Sequence, residues 1–239
     1  MKKILIVALA FVCVCAAQAQ QKTDWKKTVL DKAGDHVMLQ FGADRWGGVP
    51  DSVDNYLKGF SRGFNVAIMM NKPFKNDPRW SVAFGIGFSS SNIYFSKMNV
   101  DINNTGTKLP FNRLDSANHF KKYKLATASI EIPLELRYTL HPDKEKSSWK
   151  FAIGAKIGTI LNAHTKGKTL QNAAGTTLNN YTEKEAKRTF FNTTRIAGTA
   201  RIGIGNYSLY GTYQFTNVFK DGVAPEIRPY QIGICISGL

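Results

Sequence analysis

Residues 80 to 88 read WSVAFGIGF, and the alternation in that stretch is the strongest constraint on what the chain can form. Trp80, Val82, Phe84, Ile86 and Phe88 fall on one side, Ser81, Ala83, Gly85 and Gly87 on the other. A period of two belongs to the β-strand, whose successive side chains point to opposite faces. The pattern returns with Val37, Leu39, Phe41 and Ala43, and again with Phe64, Val66, Ile68 and Met70. It continues with Ile130, Ile132, Leu134, Leu136 and Tyr138, then Trp149, Phe151, Ile153, Ala155 and Ile157. Three more runs follow, carried by Ile196, Ile202 and Ile204, by Tyr207, Leu209, Tyr213 and Phe215, and by Tyr230, Ile232, Ile234 and Ile236. Eight strands result, and no long stretch of helical period competes. The opposite faces carry small, polar or charged residues, among them Gln40, Asn65, Ser81, Ser129, Gly158 and Gln231.

Alternation alone suits a soluble sandwich as well as a transmembrane barrel, in which the apolar face meets lipid. The connections separate the two. Residues 45–62, 97–119, 162–188 and 216–227 form long connections, and 71–79, 141–148 and 205–206 form short ones in strict alternation with them. Long loops are unusual in compact soluble domains. Outer-membrane barrels place long loops outside and short turns in the periplasm. The expected fold is therefore all-β, an eight-stranded up-and-down antiparallel transmembrane β-barrel of outer-membrane type over residues 36–239. The connections at 97–119 and 162–188 read as polar loops. Trp80, Tyr138, Trp149 and Tyr207 fall at the short-turn ends and are expected to form an aromatic girdle.

The first residues agree with this destination. Lys2 and Lys3 precede an apolar run from Ile4 to Val14, and Ala17-Gln18-Ala19 follows as a small-x-small cleavage site. Residues 1–19 read as a secretory signal peptide cut near Ala19, and 20–35 as a short periplasmic segment. A lipoprotein anchor at Cys13 or Cys15 fits less well, because Val12 and Val14 stand where a lipobox needs a small residue. Cys235 is then the one cysteine left, so no intrachain disulfide is expected. Loss of Lys2 and Lys3 lowers the formal charge of +15 by two. Such a basic chain in the cytosol would suggest nucleic acid. Export argues against nucleic acid and directs the charge toward outer-membrane lipid and lipopolysaccharide phosphates.

At ASIEIPLELRYTL, followed by KFAIGAKIGTILNA, the chain resembles the PorT-like outer-membrane β-barrel family of Gram-negative bacteria. Glu131-Ile132-Pro133-Leu134 matches the family's acidic-apolar-Pro core, and Gly154 and Gly158 match the small residues of its following strand. The resemblance implies an eight-stranded barrel with a periplasmic N-terminus, the barrel-assembly machinery as a partner in biogenesis and, for some members, components of a type IX secretion system. Such barrels commonly end in an aromatic residue, whereas this chain ends Ser237-Gly238-Leu239. Pro133 has no N–H to donate, so a bulge or a locally missing ladder bond is expected there.

Reaction chemistry is hard to find in these residues. His36, His119, His141 and His164 are scattered without metal-ligand spacing. GIGFSSS lacks the third glycine of a dinucleotide fingerprint, and no GxSxG elbow occurs. No catalytic, cofactor-binding or metal residue is expected, and no enzyme. A Ser116/His119 pair at the rim is the weaker enzymatic alternative, acting on lipid. Asp51-Ser52-Val53 and Asp115-Ser116-Ala117 resemble the acceptor of an O-glycosylation system. The candidate site is the charged set on the inward face: Glu131, Glu135, Arg137, Lys156, Arg195 and Arg201. It reads either as an ion-pair network filling the barrel or as a solute path. Eight strands leave an interior just wide enough for side chains, which favours the network. The expected role is structural, surface-binding or secretion-accessory, with a small-solute pore as the alternative.

Overall fold

The computed structural model describes residues 35–238. The leader at 1–19 and nearly all of the segment at 20–35 lie outside the described residues, as does the last residue, Leu239. The strands are β1 (Asp35–Gly47), β2 (Ser61–Pro73), β3 (Trp80–Phe95), β4 (Met98–Val100), β5 (Phe111–Arg113), β6 (His119–Thr139), β7 (Trp149–Gln171), β8 (Thr177–Ala186), β9 (Thr194–Ile204), β10 (Tyr207–Gln214) and β11 (Arg228–Ser237). One helical turn, α1 (Asp51–Asp54), follows β1.

Eight strands close a ring in the order β1, β2, β3, β6, β7, β9, β10, β11, with β11 returning to β1. Every pair in it is antiparallel. This is the up-and-down barrel that the alternation implies. Its bulky face points outward: Ile86 is 64% exposed, whereas Ser81 on the opposite face is 6% exposed. Phe84, Phe88, Ile132, Leu134, Ile153, Ile157, Leu209, Ile232 and Ile234 are exposed in the same band. A soluble fold that left these rows in water would forgo their burial, and lipid tails remove that cost. At the short-turn end Trp80 pairs with Tyr138, their ring centroids 4.9 Å apart, and Trp149 stands 6.4 Å from Phe151. With the exposed Tyr207 they form the expected girdle.

At Pro133 the structure shows the second of the two expected outcomes, a locally missing ladder bond. The β6–β7 ladder runs through Pro133 opposite Lys156 without a shift. On the β3 side, pairing passes from Phe84–Leu134 to Gly87–Glu131, leaving Ile132 and Pro133 without partners. The missing donor is thus accommodated by an interrupted ladder. The bulge lies higher, where Ala128 faces Asn162 and Ser129 faces Ile160, so that Leu161 is the extra residue.

The long connections depart from expectation. Residues 162–188 are not a loop: β7 runs on to Gln171 and returns as β8. β4 and β5 pair within the connection from β3 to β6. All four outer connections then contribute to one apolar core. Val53 comes from the first, Phe95, Met98, Val100, Ile102 and Leu109 from the end of β3 and the second. Phe190 and Phe191 come from the third, Val218, Phe219 and Ile227 from the fourth. Trp46, at the top of β1, sits 5.7 Å from the Phe95 ring and 5.9 Å from the Phe219 ring. Isolated bridges Leu57–Phe95 and Phe191–Phe219 stitch the connections together. The barrel therefore carries a packed cap over its outer mouth, where polar loops were expected.

Candidate functional site: a filled lumen beneath an apolar cap

The inward rows of β6, β7 and β9 bring the charges together, and the register explains how. Glu131 pairs across β6–β7 with Gly158, and Gly158 pairs across β7–β9 with Arg195. With no side chain at the middle position, Arg195 Nη1 reaches Glu131 Oε1 at 2.6 Å. A Cβ at Gly158 would come within 2.8 Å of Glu131 Cγ, so the close approach requires glycine. Six residues nearer the short-turn end, Ala152 separates Arg137 from Arg201 in the same way. Both guanidiniums turn to Glu135: Arg137 Nε lies 2.9 Å from Oε2, and Arg201 Nη2 donates to Oε2 at 2.8 Å. Gly154 and Ala83 flank Glu135 and leave its stem room. Among the described residues Lys156 joins no carboxylate; its Nζ donates to Gln40 Oε1 at 2.9 Å.

From Gln40 a chain of hydrogen-bonded side chains climbs the lumen. Asn65 Nδ2 donates to Gln40 Oε1 at 3.2 Å and to Gln231 Oε1 at 2.7 Å. Gln231 Nε2 donates to Asp44 Oδ1 at 2.5 Å, and Tyr210 O–H donates to Gln231 Oε1 at 2.7 Å. Arg195 Nη1 also donates to Ser89 Oγ at 2.6 Å. Asp44, Tyr210 and Ser89 were not among the expected site residues. Extending the alternation two residues past Gln40 and Gly42 places Asp44 inward, and Ser208 and Tyr210 follow from Tyr207 and Leu209 pointing out. Met38, Met69 and Cys235 complete the inner packing as a small apolar patch.

Two small cavities adjoin the network. A cavity of about 40 Å³ lies between the network and the cap, lined by Asp44, Trp46, Arg195 and Gln231. Another of about 50 Å³ lies at the periplasmic end beside Asn71, Arg137 and Arg201. Each has room for no more than a few water molecules. Above them Tyr123 O–H reaches into the cap, 2.5 Å from Asn99 Oδ1, and accepts from the Val100 N–H at 3.1 Å.

At the rim, Asp115 accepts a hydrogen bond from the Tyr56 phenol, which is thereby held above its ordinary pKa. The His119 ring nitrogen Nδ1 lies 3.2 Å from the Ala117 carbonyl, and among the described residues no hydrogen bond joins His119 to Ser116. In the periplasmic turn Arg79 Nε donates to Asp77 Oδ1 at 2.9 Å, and that bond draws the Asp77 carboxyl below its ordinary range.

A closed antiparallel ring with an apolar exterior, a polar filled interior and aromatic ends defines an integral outer-membrane β-barrel. The chain belongs to the outer membrane protein beta-barrel domain family, which it matches over residues 33–220. Solved structures similar to it include Ail, the attachment invasion locus protein of Yersinia pestis, in complex with the heparin analogue sucrose octasulfate. That pair shares 15% identity at a TM-score of 0.36, covering 85% of this chain and 97% of that one. Ail by itself is similar at 14% identity and a TM-score of 0.32, over 85% of this chain and 97% of that chain. The backbone structure of Ail in a phospholipid bilayer nanodisc is similar at 15% identity and a TM-score of 0.30, over 85% and 99%. No curated protein matches the chain.

Proposed function

We propose that this outer-membrane barrel is a closed, non-enzymatic surface protein: its wall anchors it, its filled lumen stiffens it, and its folded cap presents a binding surface to the outside. One observation supports this reading above the others. The path through the barrel is obstructed twice, by the Glu131–Arg195 and Glu135–Arg137–Arg201 ion pairs and by the Trp46–Phe95–Phe219 core above them. A solute path needs neither a dry cap nor carboxylates locked on guanidiniums. A secretion-accessory role, as for some PorT-like proteins, belongs to the same proposal, as do export by a leader cleaved near Ala19 and handling by the barrel-assembly machinery. Purified protein in a planar bilayer is expected to give no steady channel. Regular single-channel steps whose size changes in Glu131→Gln would overturn this reading in favour of a pore.

A further inference from the structure

Above the apolar band, β6 and β7 run on beside the end of β3, and β8 pairs along the other side of β7. Lysine meets lysine across these strands. Lys122 pairs with Lys168, and Lys124 pairs with Lys166, which pairs on its other side with Lys184. Like charges directly opposite one another destabilise a sheet. The carboxylates of β8 do not relieve them: Glu183 pairs with Gly167 and Glu185 with Thr165, positions of the other face. Among the described residues no ion pair joins any of the five lysines to an acid. Lys124 instead donates to Asn92 Oδ1 at 2.6 Å and stands 5.9 Å from the Tyr94 ring centroid.

The direction of this face says what neutralises it. On β6 the row Lys122, Lys124 continues the lipid-facing row Ile130, Ile132, Leu134. On β7 the lipid-facing residues are odd-numbered up to Leu161, so Lys166 and Lys168 would point inward on an unbroken strand. The bulge at Leu161 reverses that order: Ala163, Thr165 and Gly167 turn in, and Lys166 and Lys168 turn out beside Lys122 and Lys124. The lysines thus face sideways over the membrane. Lys124 stands roughly 15 Å above Ile130, at ~3.3 Å per residue and ~40° of tilt. That is the layer of sugar and phosphate above the outer-leaflet acyl chains.

We propose that Lys122, Lys124, Lys166, Lys168 and Lys184 form a lateral docking face for the phosphate groups of lipopolysaccharide seated against the barrel wall. The proposal rests on the reading that the long connections lie outside and the barrel is integral. A soluble polyanion would meet the cap from above, whereas this face is aimed along the membrane plane and is continuous with the wall that acyl chains cover.

The test compares wild type with the Lys166→Gln/Lys168→Gln/Lys184→Gln variant in phosphatidylcholine nanodiscs. Each is heated with no addition, with rough lipopolysaccharide, with the same lipopolysaccharide after phosphatase treatment, and with a soluble sulfated glycan. The readout is the temperature at which the folded gel band converts to the unfolded one. In neutral lipid the variant is expected to convert at a higher temperature than wild type, because repulsion among the lysines is relieved. Lipopolysaccharide is expected to raise the wild-type temperature, and the variant is expected to lose at least half of that rise. Dephosphorylation is expected to cost wild type a similar share, and the rise is expected to shrink with added salt. A full rise in the variant, or a full rise with dephosphorylated lipopolysaccharide, overturns the proposal. A rise with the glycan and none with lipopolysaccharide overturns it too, in favour of a surface-glycan ligand. Release of wild type from bilayers by carbonate would sink the underlying membrane reading, an outcome separate from any result with the lysine variant.

Discussion

Glu135→Gln removes the charge on which two guanidiniums converge. Glu135 is 1% exposed, with Arg137 Nε at 2.9 Å and Arg201 Nη2 at 2.8 Å from the same oxygen. The two arginines approach each other across Ala152, so without the carboxylate they become a buried like-charge pair. Breaking a buried ion pair by removing one partner costs about 3–5 kcal/mol, mostly from the charge left behind. The larger end applies here because two cations are stranded. Removing one of them as well is expected to recover part of the loss, so the double variant Glu135→Gln/Arg201→Met should lie closer to wild type than the sum of the singles. Urea titration of the protein in lipid vesicles, scored by the mobility of the folded band, measures all four corners of that cycle. A Glu135→Gln variant within about 1 kcal/mol of wild type would refute the reasoning, since a bond of that value belongs to exposed pairs. Strict additivity in the double variant would refute the coupling through Glu135.

Three further outcomes are expected. Ile86→Arg should destabilise the inserted barrel by about 2–4 kcal/mol, the cost of arginine on a mid-membrane lipid face, while Asn104→Arg in an outer connection stays near wild type; equal titration curves for Ile86→Arg and wild type would mean that this face does not meet lipid. Phe219→Ala should cost the cap about 3–5 kcal/mol of packing, so that added protease cuts the outer connections while the barrel band survives; unchanged resistance to cleavage would count against a packed cap. The Asp77 carboxyl, held down by Arg79, should titrate at lower pH in wild type than in Arg79→Gln; the stabilisation from the pair is full above the ordinary carboxylate range and is lost as pH falls through the depressed value. Carbon chemical shifts of Asp77 across pH would show it, and matching midpoints would exclude the effect.

The barrel was legible in the residues because it is periodic. Ser81 and Ile86 declare their faces by position alone, and strand number and sidedness follow from the count of alternating runs and the lengths between them. The inward charges were legible for the same reason: Glu131, Glu135, Arg137, Lys156, Arg195 and Arg201 keep parity with Gln40 and Asn65. Their partners were not, because pairing depends on register. Gly158 lets Glu131 meet Arg195, and Ala152 lets two arginines share Glu135, while Lys156 is left to Gln40. The cap was invisible in sequence. Phe95, Ile102, Phe190, Phe219 and Ile227 come from the end of β3 and three different connections at no common period, and such residues acquire a face only when the barrel has brought their ends together. The bulge at Leu161 was equally hidden, since one extra residue reverses the parity of everything beyond it. A period of two determines which residues share a face of one strand. Which strand lies beside which residue, and what closes over the top, is a matter of ring closure, and that exists only in three dimensions.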